Sequence, residues 1–167
     1  MINEQFVVGN TRHYSLVLPI MNSNISIVGV WSKSKLTSET EKNDHCNNMS
    51  NCLNEVVKYL ANPIVIGDFN MSPRVSGQET KAIKVFKEYE SYGLNSFYHQ
   101  ICGEKYGLES SSSYWDSNGG FMLDHIFAKD EIVNNGYARW PFTDKEYWAA
   151  KGKPNDCSDH LPIMFEF

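Results

Sequence analysis

The chain has 167 residues, of which 41% are hydrophobic and 21% charged, a composition typical of a globular protein with a core of its own. The formal net charge is −5 and no block of lysine and arginine occurs, which argues against an electrostatic clamp on nucleic acid. No apolar stretch is long enough to span a membrane, and the N-terminal residues lack a signal-peptide pattern. We therefore expect a cytoplasmic protein with a single domain over residues 1–167.

The first half of the chain predicts a hairpin, a helix and a buried strand. The runs "YSLVLPI" and "ISIVGVW" flank the polar turn "MNSN", a pattern typical of a β-hairpin. Apolar residues at three- and four-residue spacings then predict a helix over 38–61, which Asn62 and Pro63 end. The run of β-branched residues that follows indicates a strand over 64–69, covered on both faces.

The second half predicts one more helix and several short strands. The helix has Ile83, Val85, Phe86 and Tyr89 as its inner face, and Gly93 ends it. Five stretches predict strands: "LNSFYHQ", "SYWDS" and "FMLDHIFA" around an Asn-Gly turn, "DEIVNNGYARWPF", and the closing "SDHLPIMFEF". Residues 142–157 form a polar loop. Strands interleaved with two helices indicate an α/β or α+β fold that is mostly sheet. The four cysteines contain no C-x-x-C pair and are interpreted as free thiols.

A carboxylate and an amide follow the buried strand. Asp68 and Asn70 are two residues apart, so in extended backbone both point to the same side. Both residue types also favour turns, and an Asx turn is at least as plausible for them as a functional site.

Two more polar pairs lie in or beside apolar strands. Asp124 and His125 are enclosed by large apolar neighbours in "FMLDHIFA", and Asp159 and His160 precede the last strand. Each pair alone has an ordinary structural interpretation, either a solvent-facing strand position or a turn. Together with Asp68 they supply carboxylates and an imidazole, which suit Mg²⁺ and the handling of a proton during phosphoester hydrolysis.

The motifs "IVIGDFN", "LDHIF" and "SDHLP", in this order, resemble those of the endonuclease/exonuclease/phosphatase superfamily. The superfamily includes pancreatic-type DNases, abasic-site endonucleases and sphingomyelinases. The resemblance covers about residues 15–167. It implies a DNase-I-like four-layer β-sandwich flanked by helices, and a hydrolase, either a phosphodiesterase (nuclease) or a phosphatase, that uses Mg²⁺, with Mn²⁺ as a second candidate.

The resemblance also implies a role for each motif residue. Asp68 would orient or deprotonate the attacking water, and Asn70 would bind the scissile phosphate. Asp159, together with Asp68, would contact the metal. His160 would donate a hydrogen bond to the phosphate, and Asp124 would hold the His160 ring. His125 receives no role and is expected on the opposite face of its strand.

The sequence departs from the superfamily pattern near its start. Members begin with a strand that carries Asn and a later strand that carries a metal-binding Glu, and neither motif is found here. We therefore expect a fold that is incomplete at the N-terminus, with self-association or a missing N-terminal segment as ways to complete it. Trp31 stands where DNase-like members have His. It is interpreted as a rim aromatic or a substrate contact, and Arg74 as a phosphate contact or a solvated loop residue.

Two hypotheses remain open from the sequence. The first is an enzyme that acts on a phosphoester substrate such as a nucleic acid or nucleotide. The second is a truncated, catalytically weak or inactive homologue that acts as a binding or remnant domain.

Overall fold

The structure is a computed structural model that describes residues 6–10, 13–32, 39–139, 160 and 163–167. Its strands are β1 (Phe6–Asn10), β2 (His13–Pro19), β3 (Ile25–Ser32), β4 (Asn62–Asp68), β5 (Leu94–Ser96), β6 (Tyr114–Asp116), β7 (Gly119–Phe121), β8 (Asp124–Lys129), β9 (Tyr137–Arg139) and β10 (Met164–Glu166). Its helices are α1 (Glu39–Glu55), α2 (Glu79–Ser91), α3 (Phe97–Cys102) and α4 (Asp130–Asn135), with a 3₁₀ turn over Val57–Tyr59. None of the described helices is long and apolar enough to cross a membrane.

Six strands form one sheet in the order β1-β2-β3-β4-β8-β5. The predicted hairpin is the antiparallel pair β2 and β3. Helix α1 then carries the chain to β4, which pairs with β3 in parallel, as a helical crossover allows. Strand β8 pairs antiparallel with β4 on its other side. The consecutive motifs on β4 and β8 are therefore neighbours in the sheet.

Helices α1 and α2 cover one face of the sheet. The core there is a continuous cluster that includes Leu53 of α1, Phe86 and Tyr89 of α2, and Val65 and Phe127 of the sheet. The two helices are also joined by polar contacts, since Ser50 Oγ donates to Glu88 Oε2 at 2.6 Å. Ile83 was predicted on the inner face of α2, but it is 36% exposed and Ala82 is buried instead.

A smaller apolar cluster lies on the other face of the sheet. Its buried members come from β4, β8, α3 and α4 and include Ile64, Phe97, Ile126 and Val133. Phe165 of β10 packs against this cluster. The β9–β10 pair forms its own two-stranded sheet.

Three short segments differ from the sequence prediction. The run "LNSFYHQ" is strand β5 only as far as Ser96 and then becomes helix α3, while "DEIVNN" is helix α4 rather than strand. Both helices have six residues, too few for a helical periodicity to show in the sequence. The run "FMLDHIFA" is divided between β7 and β8, because the backbone N–H groups of Leu123 and Asp124 donate to the Ser113 hydroxyl instead of a strand partner. The prediction for residues 142–157 lies outside the described residues.

Candidate active site

Asp68 is the last residue of β4, and Asp124 is the first residue of the neighbouring antiparallel strand β8. The two residues therefore lie at the same edge of the sheet. In the register of β4 with β8, Asp68 lies directly opposite Asp124. Gly67 precedes Asp68 with φ of 145°, and a Cβ atom at this position would collide with the carbonyl oxygen of Val30. The Gly-Asp pair in "IVIGDFN" therefore reflects a close approach of β3 that only glycine allows.

The Asp68 carboxylate closes a turn with Asn70. Asp68 Oδ1 accepts a hydrogen bond from the Asn70 backbone N–H at 2.8 Å, and Asp68 Oδ2 accepts one from Asn70 Nδ2 at 2.6 Å. Asn70 Nδ2 also donates to the Ser32 carbonyl oxygen at 2.5 Å. Asn70 lies beyond the strand with φ of 50°, so the two side chains meet through an Asx turn rather than through strand alternation.

The electrostatics at Asp68 favour its protonated form. Burial, followed by the charge of Asp124, raises the pKa of Asp68 from 3.8 to about 6, although the hydrogen bonds from Asn70 act in the opposite direction. Two carboxylates that face each other across a sheet repel, and a nearby positive charge would relieve that repulsion. A group that titrates near neutral pH can also accept a proton in catalysis.

The Asp124 side chain is hydrogen-bonded to His160. His160 Nδ1 donates to Asp124 Oδ2 at 2.7 Å, and the two side chains are 27% and 18% exposed. This bond fixes the ring with its Nε2 atom directed away from Asp124. Tyr114 packs against the imidazole with ring centroids 5.1 Å apart, and it also forms a β-bridge with His160.

Asp68, Asp124 and His160 form a group that can hold a cation. Each offers one ligand atom, and these atoms lie within 4.8 Å of one another. Carboxylate oxygens suit hard divalent cations such as Mg²⁺. The Asp124 charge, which after burial is the next largest cause of the raised pKa of Asp68, also fits a cation at this position. In the structure Asp124 and His160 are hydrogen-bonded to each other, so Asp68 is the described carboxylate that best suits a divalent cation, and the other two would have to exchange that hydrogen bond to bind it.

Comparison with solved structures identifies the fold. No protein-family model and no curated protein matches the sequence. The 3′ phosphatase NExo from Neisseria, bound to product DNA hairpin, is similar with a TM-score of 0.65 and 15% identity over 100% of this chain and 71% of its own. An AP endonuclease from Archaeoglobus fulgidus has a TM-score of 0.62 and 15% identity over the same shares of the two chains. The catalytic domain of human nocturnin, with bound sulfate anion, has a TM-score of 0.53 and 22% identity over 93% of this chain and 52% of its own.

The chain has the DNase-I-like fold. This confirms the fold that the three motifs imply. The DNase-I-like sheet explains why motifs far apart in the sequence meet, because β4 and β8 are adjacent in it. Asp159 lies outside the described residues, so its predicted metal contact stays a prediction.

The two residues predicted to contact substrate, Trp31 and Arg74, are both exposed. Trp31 pairs with Asp68 in the register of β3 with β4, and it is 47% exposed. Arg74 is exposed in the loop after Asn70, with its guanidinium 5.8 Å from the centroid of the Phe121 ring. Trp31 therefore lies beside Asp68, and the roles of Trp31 and Arg74 stay predictions.

His125 lies on the opposite side of β8 from Asp124, as strand alternation predicts. Its ring is buried among the aromatic side chains of Phe69, Phe86 and Phe127. Burial lowers the pKa of His125 to about 4, which keeps it neutral. Its Nε2 atom donates to the Met71 carbonyl oxygen at 3.1 Å.

Several buried polar residues that support the site were not singled out in the sequence. Ser113, fully buried, accepts the backbone N–H groups of Leu123 and Asp124 at 2.9 Å each. Ser32 Oγ lies 2.6 Å from Nδ1 of the buried His45 on α1. These serines occur in polar stretches such as "ESSSSYW", and nothing in their local pattern distinguishes them from solvated loop residues.

Proposed function

We propose that the chain is a divalent-cation-dependent phosphoester hydrolase, either a phosphodiesterase or a phosphatase, that uses Mg²⁺ or Mn²⁺. One observation carries this proposal: a carboxylate with a raised pKa lies beside an Asp124–His160 pair at the ends of adjacent strands. The DNase-I-like fold supports it, because the similar structures include a 3′ phosphatase and an AP endonuclease.

Asp68 orients the attacking water and accepts its proton. Without a cation the pKa of Asp68 is raised to about 6, and a cation bound beside it would lower that pKa, so that Asp68 is a carboxylate when it orients the water. The bonds from Asn70 hold both carboxylate oxygens in place. The Asn70 amide donates to Asp68 and to Ser32, so it must exchange one of these acceptors for a phosphate oxygen when substrate binds.

His160 stabilises the charge that develops on the phosphate. Asp124 accepts the Nδ1 proton and fixes the ring, which leaves Nε2 to donate to a phosphate oxygen when the imidazole is protonated. A general acid or base held in this way contributes about a hundredfold to ten-thousandfold to a rate. Ser113 fixes the backbone at Asp124 and so supports this pair.

Asp68 and Asp159 would hold the cation. When bound, the cation would polarise the phosphate and stabilise its negative charge, a contribution of several kcal/mol in metal-dependent hydrolases. His160 offers its Nε2 to substrate in this arrangement rather than to the cation.

The proposed substrate is a nucleic acid or a nucleotide. The NExo structure contains a DNA hairpin, and the nocturnin domain contains a sulfate anion. Exposed Trp31 could stack on a base, and Arg74 could contact a phosphate at the rim. The net charge of −5 favours a short or single-stranded substrate over non-specific binding to duplex DNA.

The test is hydrolysis of an aryl phosphodiester, an aryl phosphomonoester and a single-stranded DNA oligonucleotide by the purified chain, with and without Mg²⁺. Asp68→Ala and His160→Ala are measured beside the wild type, and Glu131→Gln, a change at an exposed residue of α4, serves as the control. We expect turnover that needs the cation, that both site variants lose and that the control keeps.

A folded wild-type chain with no turnover on any of these three substrates would contradict the enzyme proposal. It would support the alternative, a catalytically inactive homologue. Circular dichroism and a cooperative thermal melt establish that each variant is folded before its rate is interpreted.

A further inference from the structure

The loop directly after Asp68 has an unusual backbone that buried side chains hold in place. Asn70 has φ of 50°, a left-handed conformation that non-glycine residues rarely adopt without support. Phe69, Asn70, Met71 and Ser72 are all buried. We call residues 69–72 the Asn70 loop.

Gln78 bonds to the Asn70 loop at two points. Its Oε1 atom accepts the Ser72 backbone N–H at 3.1 Å, and its Nε2 atom donates to the Asn70 carbonyl oxygen at 3.3 Å. The Gln78 side chain is fully buried. A buried amide that satisfies one acceptor and one donor of the same loop restricts the loop to one conformation.

His125, on strand β8, forms a hydrogen bond to the same loop. Its Nε2 atom donates to the Met71 carbonyl oxygen, while its Nδ1 atom has no hydrogen-bond partner although it is buried. A buried ring nitrogen without a partner costs stability, and a phenyl ring would suit the surrounding aromatic side chains better. The bond to Met71 is therefore the contact that distinguishes histidine from an apolar residue at this position.

We propose that Gln78 and His125 are positioning residues that hold the Asn70 loop so that the Asn70 amide stays directed at Asp68. Neither residue reaches the Asp68 carboxylate in the structure. They act through the backbone of Asn70, Met71 and Ser72. The catalytic consequence rests on the proposed hydrolase function, whereas the geometric consequence does not.

The first test uses NMR and needs no activity. The side-chain amide signals of Asn70 are recorded in the wild type and in Gln78→Met and His125→Phe, which remove the hydrogen-bonding groups of these side chains but keep their bulk. Gln100→Met, a change at an exposed glutamine of α3, is the control. We expect the Asn70 signals to move toward those of a solvent-exposed amide in both variants and to stay unchanged in the control.

The second test uses kinetics and a conservative variant. We expect Gln78→Met and His125→Phe to lower kcat by about ten- to a hundredfold and to raise KM as well, since Asn70 both holds the Asp68 carboxylate and is proposed to contact a phosphate oxygen of the substrate. His125→Gln keeps an N–H donor at similar reach and should recover most of the lost kcat.

Unchanged Asn70 amide signals in folded Gln78→Met and His125→Phe would overturn the positioning proposal. So would a kcat for His125→Gln no higher than that of His125→Phe. If the wild type shows no turnover, the hydrolase proposal fails, and the NMR comparison still decides whether the two residues position Asn70.

Discussion

Replacing Asp68 by Asn should stabilise the folded chain increasingly as the pH rises. Burial and the charge of Asp124 raise the pKa of Asp68 from 3.8 to about 6. Between these values the folded chain keeps a proton that the unfolded chain has released, so ionisation of Asp68 opposes folding. The unscreened effect above pH 7 is about 3 kcal/mol, and because the side chain is partly accessible to solvent we expect about 1–2 kcal/mol.

The assay is urea unfolding of the wild type and of Asp68→Asn at pH 4 and pH 7.5, in EDTA, followed by circular dichroism. The Asn side chain alters the bonds to Asn70, but that change is the same at both pH values. The informative quantity is therefore the free energy of unfolding of Asp68→Asn minus that of the wild type. This difference should become about 1–2 kcal/mol more positive between pH 4 and pH 7.5.

Glu131→Gln is the control, because this exposed residue lies on α4, away from the paired carboxylates. Its difference from the wild type should change little with pH. A difference for Asp68→Asn that stays constant or shrinks from pH 4 to pH 7.5 would refute the raised pKa of Asp68, which burial and then the charge of Asp124 cause.

Three further predictions concern the fold and the Asp124–His160 pair. Gly67→Ala should destabilise the chain by more than about 3 kcal/mol or prevent folding, because the alanine Cβ would clash with the Val30 carbonyl oxygen. A urea midpoint like that of the wild type would contradict this prediction. Asp124→Ala and His160→Ala should each lower kcat/KM at least about a hundredfold, and the double variant little further, whereas additive losses would show that the two residues act separately. Iodoacetamide should label exposed Cys102 in the folded chain but the two cysteines of α1 only after unfolding, since both α1 thiols are buried; peptide mapping by mass spectrometry distinguishes them.

The sequence predicted the elements whose patterns are long or chemically distinct. Strand β4 follows from a β-branched run bounded by Pro63 and Gly67, and helix α1 from apolar spacings over several turns. The short helices α3 and α4 were missed because six residues show too little periodicity. The division of "FMLDHIFA" was missed because it depends on Ser113, a residue distant from it in the sequence.

The candidate site, too, could be predicted from the sequence only in part. The motifs drew attention to Asp68, Asp124 and His160, which the structure brings within 4.8 Å of one another. The sequence left open whether Asp68 and Asn70 form a turn or a site, and the structure contains the turn. Gln78 could not be recognised, because its two bonds depend on how the loop after Asn70 folds back onto α2.

The most direct test of the proposed function is the initial rate of aryl phosphodiester hydrolysis measured against Mg²⁺ concentration, for the wild type and for His160→Ala. We predict a wild-type rate that rises with Mg²⁺ and saturates, and a variant rate at least about a hundredfold lower at every concentration. A wild-type rate that does not respond to Mg²⁺ or Mn²⁺, or a variant as fast as the wild type, would contradict the proposal.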